Sequence, residues 1–289
     1  MVSSMFPDMG HGFGAILGMG DSCFVSYVDE GTVHKGYEIW VNGRRRSYYP
    51  EGCEEDLARE YTIYKHLGKH DRILHCFGLD EIRYPGVHAL RLELAPLGTV
   101  RELIQKFPCE PLPEQTRLQM CRDVVDGVVY IHSRGVWHSD LSCRNLMLFD
   151  GYRIKIGDFG GSIIRGREVS FPATVAEEAQ YELPCRGRDR HELPIMKREL
   201  FALGSCMYEI MAWIRPFQDL RDSEVTKRYE RGEFPCLDTM SITVSQAIRN
   251  CWHEIYDCAD QVAELLKERL PSNRDEAASD SVAEKEEEQ

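Results

Sequence analysis

Two rhythms of apolar residues divide the chain. Up to about residue 95 they fall in short runs rich in β-branched and aromatic side chains: CFVSYV (23–28), TVHKGYEIWV (32–41), ILHCFGL (73–79) and ALRLELA (89–95). Each is expected as a strand, with DEG as the turn between the first two and NGRRRSYYPEG (42–52) as a polar loop. The exception is EEDLAREYTIYKHL (54–67), where Leu57, Tyr61, Tyr64 and Leu67 recur near the helical period. Beyond residue 95 the helical period takes over. VRELIQKF (100–107) predicts a short helix and PEQTRLQMCRDVVDGVVYIHSRG (113–135) a long one. Leu118, Val125, Val128, Val129 and Ile131 give the long helix an apolar side, and Gly135 ends it. NLMLF and YRIKIG flank Asp150-Gly151, a two-residue hairpin signal. After an irregular stretch (160–195), KRELFALGSCMYEIMAWI (197–214) is apolar nearly all round and so expected to be buried. Two further helices are expected near 222–231 and 241–267. A β-rich part with one helix, followed by a helical part, predicts an α+β protein of two lobes with a cleft between them.

Composition narrows the setting. With 289 residues, 43% of them hydrophobic, the chain can build one large or two small cores. No apolar run is long enough to span a bilayer, and MVSSMFPDMGHGFG has neither the basic region nor the apolar core of a secretory signal. A soluble cytoplasmic protein is expected. Eleven cysteines are scattered without a CxxC or a zinc-type ladder, which fits a reducing compartment and, for most of them, core packing. The net charge of −13 argues against a nucleic-acid partner. Part of that charge sits in the segment from Pro271 onward, with almost no large apolar residue; it is expected to be a disordered acidic tail.

The chemistry concentrates in GVWHSDLSCRNLMLF (135–149). Asp140 and Asn145 lie five positions apart on the loop before the expected hairpin, and Asp158, thirteen beyond Asn145, ends its second strand in IGDFGG. The hairpin returns Asp158 to the end from which the loop leaves. Three oxygen-bearing side chains therefore converge, which suits a hard divalent cation such as Mg²⁺.

HxDL(x)3N followed at hairpin distance by DFG resembles the eukaryotic protein kinase family, and other motifs follow in the family's order. The resemblance implies the bilobal protein kinase fold, with a small β-rich lobe and a larger α-helical lobe. It implies ATP and Mg²⁺ as cofactors and a protein substrate whose hydroxyl receives the γ-phosphate. Asp140 would orient or deprotonate that hydroxyl, and Asn145 and Asp158 would hold Mg²⁺. ILGMGDSCFVSYV (16–28) is similar to the glycine-rich loop: Gly18, Gly20 and Val25 match, while Cys23 replaces the third glycine. Lys35 would contact the phosphates and Glu60 would pair with it. LRLELAPLGTVREL (90–103) resembles the strand and hinge between the lobes, with Leu92 as gatekeeper and the backbone of Glu93 and Ala95 meeting the adenine. Val25 and Val33 above, and Met147 below, would sandwich the purine. Val33 stands where the family usually carries Ala, which narrows that pocket.

The resemblance covers roughly residues 14 to 267 and sets the expected organisation: a tail (1–13), an N-lobe (14–95), a C-lobe (96–270) and the acidic tail (271–289). YELP (181–184) stands for Ala-Pro-Glu, ELFALGSCMYEI (199–210) matches the buried D-x-F-A-L-G helix with Glu199 for Asp, and CW (251–252) matches a late helix. Ser139 replaces the Arg that docks a phosphorylated activation loop, so activity independent of that phosphate is expected. YELP lacks the terminal Glu and the late helix lacks an evident Arg, so the ion pair between them is expected to be absent. Ser142 replaces the Lys common in Ser/Thr kinases, and Arg144 resembles the tyrosine-kinase loop; Ser/Thr acceptors are favoured. Lys35, Glu60, Asp140, Asn145 and Asp158 all survive, which favours an active enzyme. The alternatives are a pseudokinase scaffold, motivated by Cys23, Val33, Ser139 and Glu199, and a tyrosine-directed or small-molecule kinase of the same fold.

Overall fold

A five-stranded antiparallel sheet in the order β1-β2-β3-β7-β6 organises the N-terminal part of the computed structural model. The structure describes residues 15–20, 23–41, 44–49, 53–83, 86–166 and 177–267. The expected tails at 1–13 and 271–289 and the tip of the glycine-rich loop (21–22) lie outside the described residues.

The strands β1 (Ile16–Met19), β2 (Phe24–Asp29) and β3 (Thr32–Gly36) form a meander, with Val25 opposite Lys35. The expected strand 32–41 divides. After Tyr37 the chain leaves the sheet and forms a separate hairpin of β4 (Glu38–Val41) and β5 (Arg44–Tyr48). Residues 44–48 of the expected polar loop 42–52 are therefore strand. Its Asn42-Gly43 pair is itself a hairpin signal, and Arg45 reaches across to Glu38 at 3.1 Å while covering the Tyr48 ring. The hairpin, with the sheet face opposite Lys35, encloses a cavity of about 480 Å³ lined in part by Phe24, His34, Trp40 and Asp80. Alternation along β3 sends His34 to that face and Val33 and Lys35 to the other.

Helix α1 (Cys53–Leu67) follows, then β6 (Cys76–Arg83) and β7 (Val87–Glu93). The apolar run expected as strand 73–79 enters the sheet only at Cys76. Before that, Leu74 donates to Ile156 O and Ile156 to Arg72 O, so this stretch stitches the sheet to the C-terminal part.

That part is helical. α2 (Val100–Lys106) starts at a reciprocal cap: Glu102 N donates to Thr99 Oγ1 and Thr99 N to the Glu102 carboxylate. α3 (Glu114–Ser133) ends before Gly135, whose φ of 69° is left-handed. β8 (Val136–Trp137), β9 (Leu146–Phe149), β10 (Arg153–Ile156) and β11 (Ile163–Ile164) form two small ladders, β9 with β10 and β8 with β11. The β9–β10 connection is three residues, 150–152, rather than two, because Tyr152 joins Gly151 at positive φ.

α4 (Ile195–Ala212) is buried at every position from Glu199 to Met211. A Cβ on Gly204 would lie 2.7 Å from Cys251 Cβ, so that glycine sets how closely the last helices approach. α5 (Asp222–Glu230) matches expectation, but 241–267 is two helices, α6 (Ile242–Trp252) and α7 (Ala259–Lys267), broken where Glu254 adopts φ 59°. One continuous apolar core runs from Val33 and Leu90 through α3 and α4 to Val262, so the two-lobed α+β architecture is a single packed unit. Ten described cysteines are free thiols, and only Cys121, Cys143, Cys206 and Cys251 are buried, fewer than expected.

Candidate functional site

The inner sheet face carries Val25, Val33 and Leu92 side by side, because Val33 pairs with Leu92 in the β3–β7 register. Val33 and Leu92 are buried. Gly18 sits opposite Val25, and Gly20 N donates to Cys23 O at 2.9 Å, closing the base of the glycine-rich turn despite the cysteine. Beyond β7, Glu93 N donates to His75 O, and its carboxylate takes Lys155 Nζ at 2.7 Å on both oxygens. Among the described residues the Ala95 N–H has no partner, so it remains a donor at the cleft edge. Leu97 and Gly98 exchange hydrogen bonds with Leu148, which fixes this edge against Met147.

Deeper in, Lys35 Nζ lies 2.8 Å from Glu60 Oε2 and 2.7 Å from Asp158 Oδ1. Burial opposes the ammonium, but the two carboxylates outweigh it and hold Lys35 well above the ordinary lysine range. Desolvation pushes the Asp158 carboxyl up, and Lys35 more than reverses this, leaving it below the ordinary range. Glu60 also accepts from Phe159 N, and Arg59 donates twice to Gly160 O, at 3.1 and 2.8 Å. α1 thus grips the whole 158–160 segment, in which Asp158 holds φ 58°.

The loop 138–145 is fastened from below. Glu199 accepts from His138 N at 2.9 Å and Ser139 N at 2.7 Å, so the longer side chain still reaches both amides. His132 Nε2 adds a third contact at 3.3 Å. This holds Ser139 at φ 63°, a conformation a non-glycine residue adopts at a cost. Asn145 Nδ2 donates to Asp140 O at 2.7 Å and Asp140 Oδ2 at 3.2 Å, and Gly157 N donates to Asn145 O. Asp140, Asn145 and Asp158 therefore share one cleft with Lys35. Burial raises the Asp140 carboxyl above the usual aspartate range, against the pull of His138 and Arg144, and the Asp158 charge adds to the rise.

Mg²⁺ does not need an all-protein cage, because it keeps waters and phosphate oxygens in its shell. Among the described residues there is no group of three His, Cys, Asp or Glu that forms one. The oxygen set offered here is hard and small. Asn145 spends its Nδ2 on Asp140, which leaves its Oδ1 unengaged among the described residues, and the Asp158 side chain is 43% exposed. These donors fit Mg²⁺ held jointly with a nucleotide.

Sequence reading missed a second layer. Arg101 is buried between Glu209, Tyr181 and Glu178, and the Tyr181 hydroxyl also donates to Glu209. The signal was present: Arg101 in an apolar short helix and Glu209 in an all-apolar one each require a buried partner. Near YELP, whose last residue is Pro184, a different ion pair is present. Arg188 donates to both oxygens of Glu254, each at 2.8 Å, joining the loop after YELP to the break between α6 and α7.

A family profile described as protein tyrosine and serine/threonine kinase matches residues 19–268. The serine/threonine/tyrosine-protein kinase HT1 of Arabidopsis thaliana is 27% identical over 65% of this chain and 50% of its own length. Aurora kinase A-B of Xenopus laevis is 30% identical over 63% of this chain and 43% of its own. The serine/threonine-protein kinase CTR1 of Arabidopsis thaliana is 27% identical over 77% of this chain and 28% of its own. The chain thus spans half or less of the length of these relatives.

Proposed function

The chain belongs to the protein tyrosine and serine/threonine kinase family, and on that premise we propose that it transfers the γ-phosphoryl group of ATP to a protein hydroxyl, with Ser or Thr as acceptor. The observation that carries this reading is the pairing of Lys35 with both Glu60 and Asp158 in the cleft that also holds Asp140 and Asn145.

In this reading the N-lobe (14–95) and C-lobe (96–270) close on ATP. Gly18, Gly20 and Val25 lie over the phosphates and adenine, Val33 and Met147 flank the purine, and Glu93 and Ala95 present backbone to its edge. Lys35, kept charged and fixed by Glu60, offers its ammonium to the α- and β-phosphates. Asn145 and Asp158 would hold Mg²⁺, which would supply positive charge against the phosphates. Asp140 accepts a hydrogen bond from the acceptor hydroxyl and aims its oxygen; its raised pKa makes it a better proton acceptor. Positioning and charge neutralisation supply most of the acceleration.

The serine/threonine names of the relatives support the acceptor class. The net charge of −13 disfavours nucleic acid as a partner. No described helix is long and apolar enough to cross a membrane; the free thiols suit a reducing cytoplasm. The test is a thermal-shift titration with ATP and Mg²⁺, wild type against Asp158→Ala, followed by transfer onto Ser, Thr and Tyr peptide arrays. A metal-dependent shift lost in the variant, with Ser/Thr labelling, supports the reading; equal shifts in both proteins, or labelling confined to Tyr, contradict it.

A further inference from the structure

Glu178 is a carboxylate that three guanidinium groups from three parts of the fold share. Arg144, from the loop before β9, places Nε 2.7 Å from Oε1. Arg101, from α2, and Arg215, beyond α4, approach Oε2 at 3.1 and 3.4 Å. The Glu178 side chain is only 12% exposed. Burial opposes its ionisation, but Arg101, Arg144 and Arg215 outweigh burial and keep it charged. Its backbone is committed as well, since Glu178 O accepts from Tyr181 N and Glu182 N. Oε2 is hydrogen-bonded by Arg101 and Arg215, whereas Oε1 meets Arg144 as an ion pair without an aligned hydrogen bond.

Arg144 is the member that matters for the cleft. Its side chain is 49% exposed, and its Nη2 stands 3.7 Å from Asp140 Oδ1, beyond hydrogen-bond reach. A small turn of the guanidinium would close this gap to a charge-assisted hydrogen bond, but its Nε end is drawn to Glu178 Oε1 in an ion pair at 2.7 Å.

We infer that Glu178 is a positioning residue that competes with Asp140 for Arg144, keeping the guanidinium off the oxygen that must face the acceptor hydroxyl. This deepens, and rests on, the phosphotransferase reading. Loss of the Glu178 charge lets Arg144 turn onto Asp140, which occupies that oxygen and weakens the residue as an acceptor. Because Glu178 is a permanent acid, the arrangement stands without any reversible modification.

The test compares kcat and peptide KM for wild type, Glu178→Gln, Arg144→Gln, the double variant and Glu178→Asp, together with a crystal structure of Glu178→Gln. The expected result is a kcat about tenfold lower in Glu178→Gln, with KM within about twofold. The double variant recovers to the Arg144→Gln level, Glu178→Asp stays near wild type, and Arg144 lies within hydrogen-bond reach of Asp140 in the crystal. A merely structural Glu178 is not rescued by deleting its partner, so a double variant as poor as Glu178→Gln overturns the inference. An unmoved Arg144 also overturns it. If wild type and Asp140→Asn are equally inactive, the phosphotransferase reading fails, and the crystal structure alone still decides the role of Glu178.

Discussion

Lys35 Nζ and Glu60 Oε2 stand 2.8 Å apart, with 8% and 3% of their side chains exposed, so the pair joins β3 to α1 inside the protein rather than at its surface. Such a pair is expensive to break from one side, because the remaining charge is left buried. Lys35→Met leaves Glu60 and Asp158 facing each other without a counter-ion. It is expected to lower stability by ~3 kcal/mol in urea unfolding and turnover by at least ~10²-fold. Glu60→Gln, which leaves Lys35 paired with Asp158, is expected to cost less on both counts. Equal losses in the two variants would show that the Lys35–Asp158 pair contributes nothing.

Glu199 serves three donors with two oxygens: His138 N, Ser139 N and His132 Nε2. Glu199→Gln replaces one of those oxygens by an NH₂ that confronts a donor. A loss of ~2–3 kcal/mol is expected, with kcat falling more than KM because the Asp140 loop loosens. Unchanged thermal melting in this variant would mean that Ser139 keeps its φ of 63° without the cap.

Much of the cleft was legible in the sequence because its spacing encodes geometry. Asp140, Asn145 and Asp158 converge once a hairpin is granted, and the β9–β10 ladder with Ile154 opposite Leu148 supplies it. Lys35 and Val33 share a face because strand residues alternate. The parts that were not legible depend on partners distant in sequence. Glu254 says little until Arg188 is brought to it, and Glu178 looks like one acid among many until Arg101, Arg144 and Arg215 surround it. β5 was hidden by composition: three arginines in a row read as loop, although Asn42-Gly43 before them marks a hairpin. The break between α6 and α7 has no Pro or Gly to announce it; it rests on Glu254 at positive φ, with Lys197 Nζ donating to Glu254 O, Tyr256 O and the Asp257 carboxylate.

The Arg188–Glu254 pair is bidentate but partly open to solvent, at 37% and 16% exposure. Screening limits its value, so Glu254→Gln is expected to cost about 1 kcal/mol, and less at high salt. The swapped double variant Arg188→Glu with Glu254→Arg is expected to recover part of the loss. A salt-independent loss would point to the backbone at Glu254 rather than to the charge.

Burial raises the Glu177 carboxyl from 4.5 to about 7, against the pull of Arg198, with Glu199 and Glu182 adding to the rise. One of its oxygens is buried with no hydrogen-bond partner among the described residues. Between those two values the folded protein binds more protons at this site than the unfolded chain, so this group lowers stability as pH rises across that window. Glu177→Gln removes the dependence. The variant is expected to gain melting temperature relative to wild type from pH 5 to pH 8, with the difference levelling off above about pH 7. A difference constant across that range contradicts the assignment.

Phosphoryl transfer is the claim on which the rest depends, and Asp140 is the residue that tests it most directly. Release of γ-phosphate from ATP with Mg²⁺ into a protein or peptide hydroxyl should be measured for wild type and Asp140→Asn, with nucleotide binding checked in both. The expected result is transfer by wild type and a loss of about 10²–10⁴-fold in the variant, at unchanged ATP binding. Equal rates in the two proteins would contradict the account, because the cleft around Lys35, Asn145 and Asp158 would then hold nucleotide without using its acid.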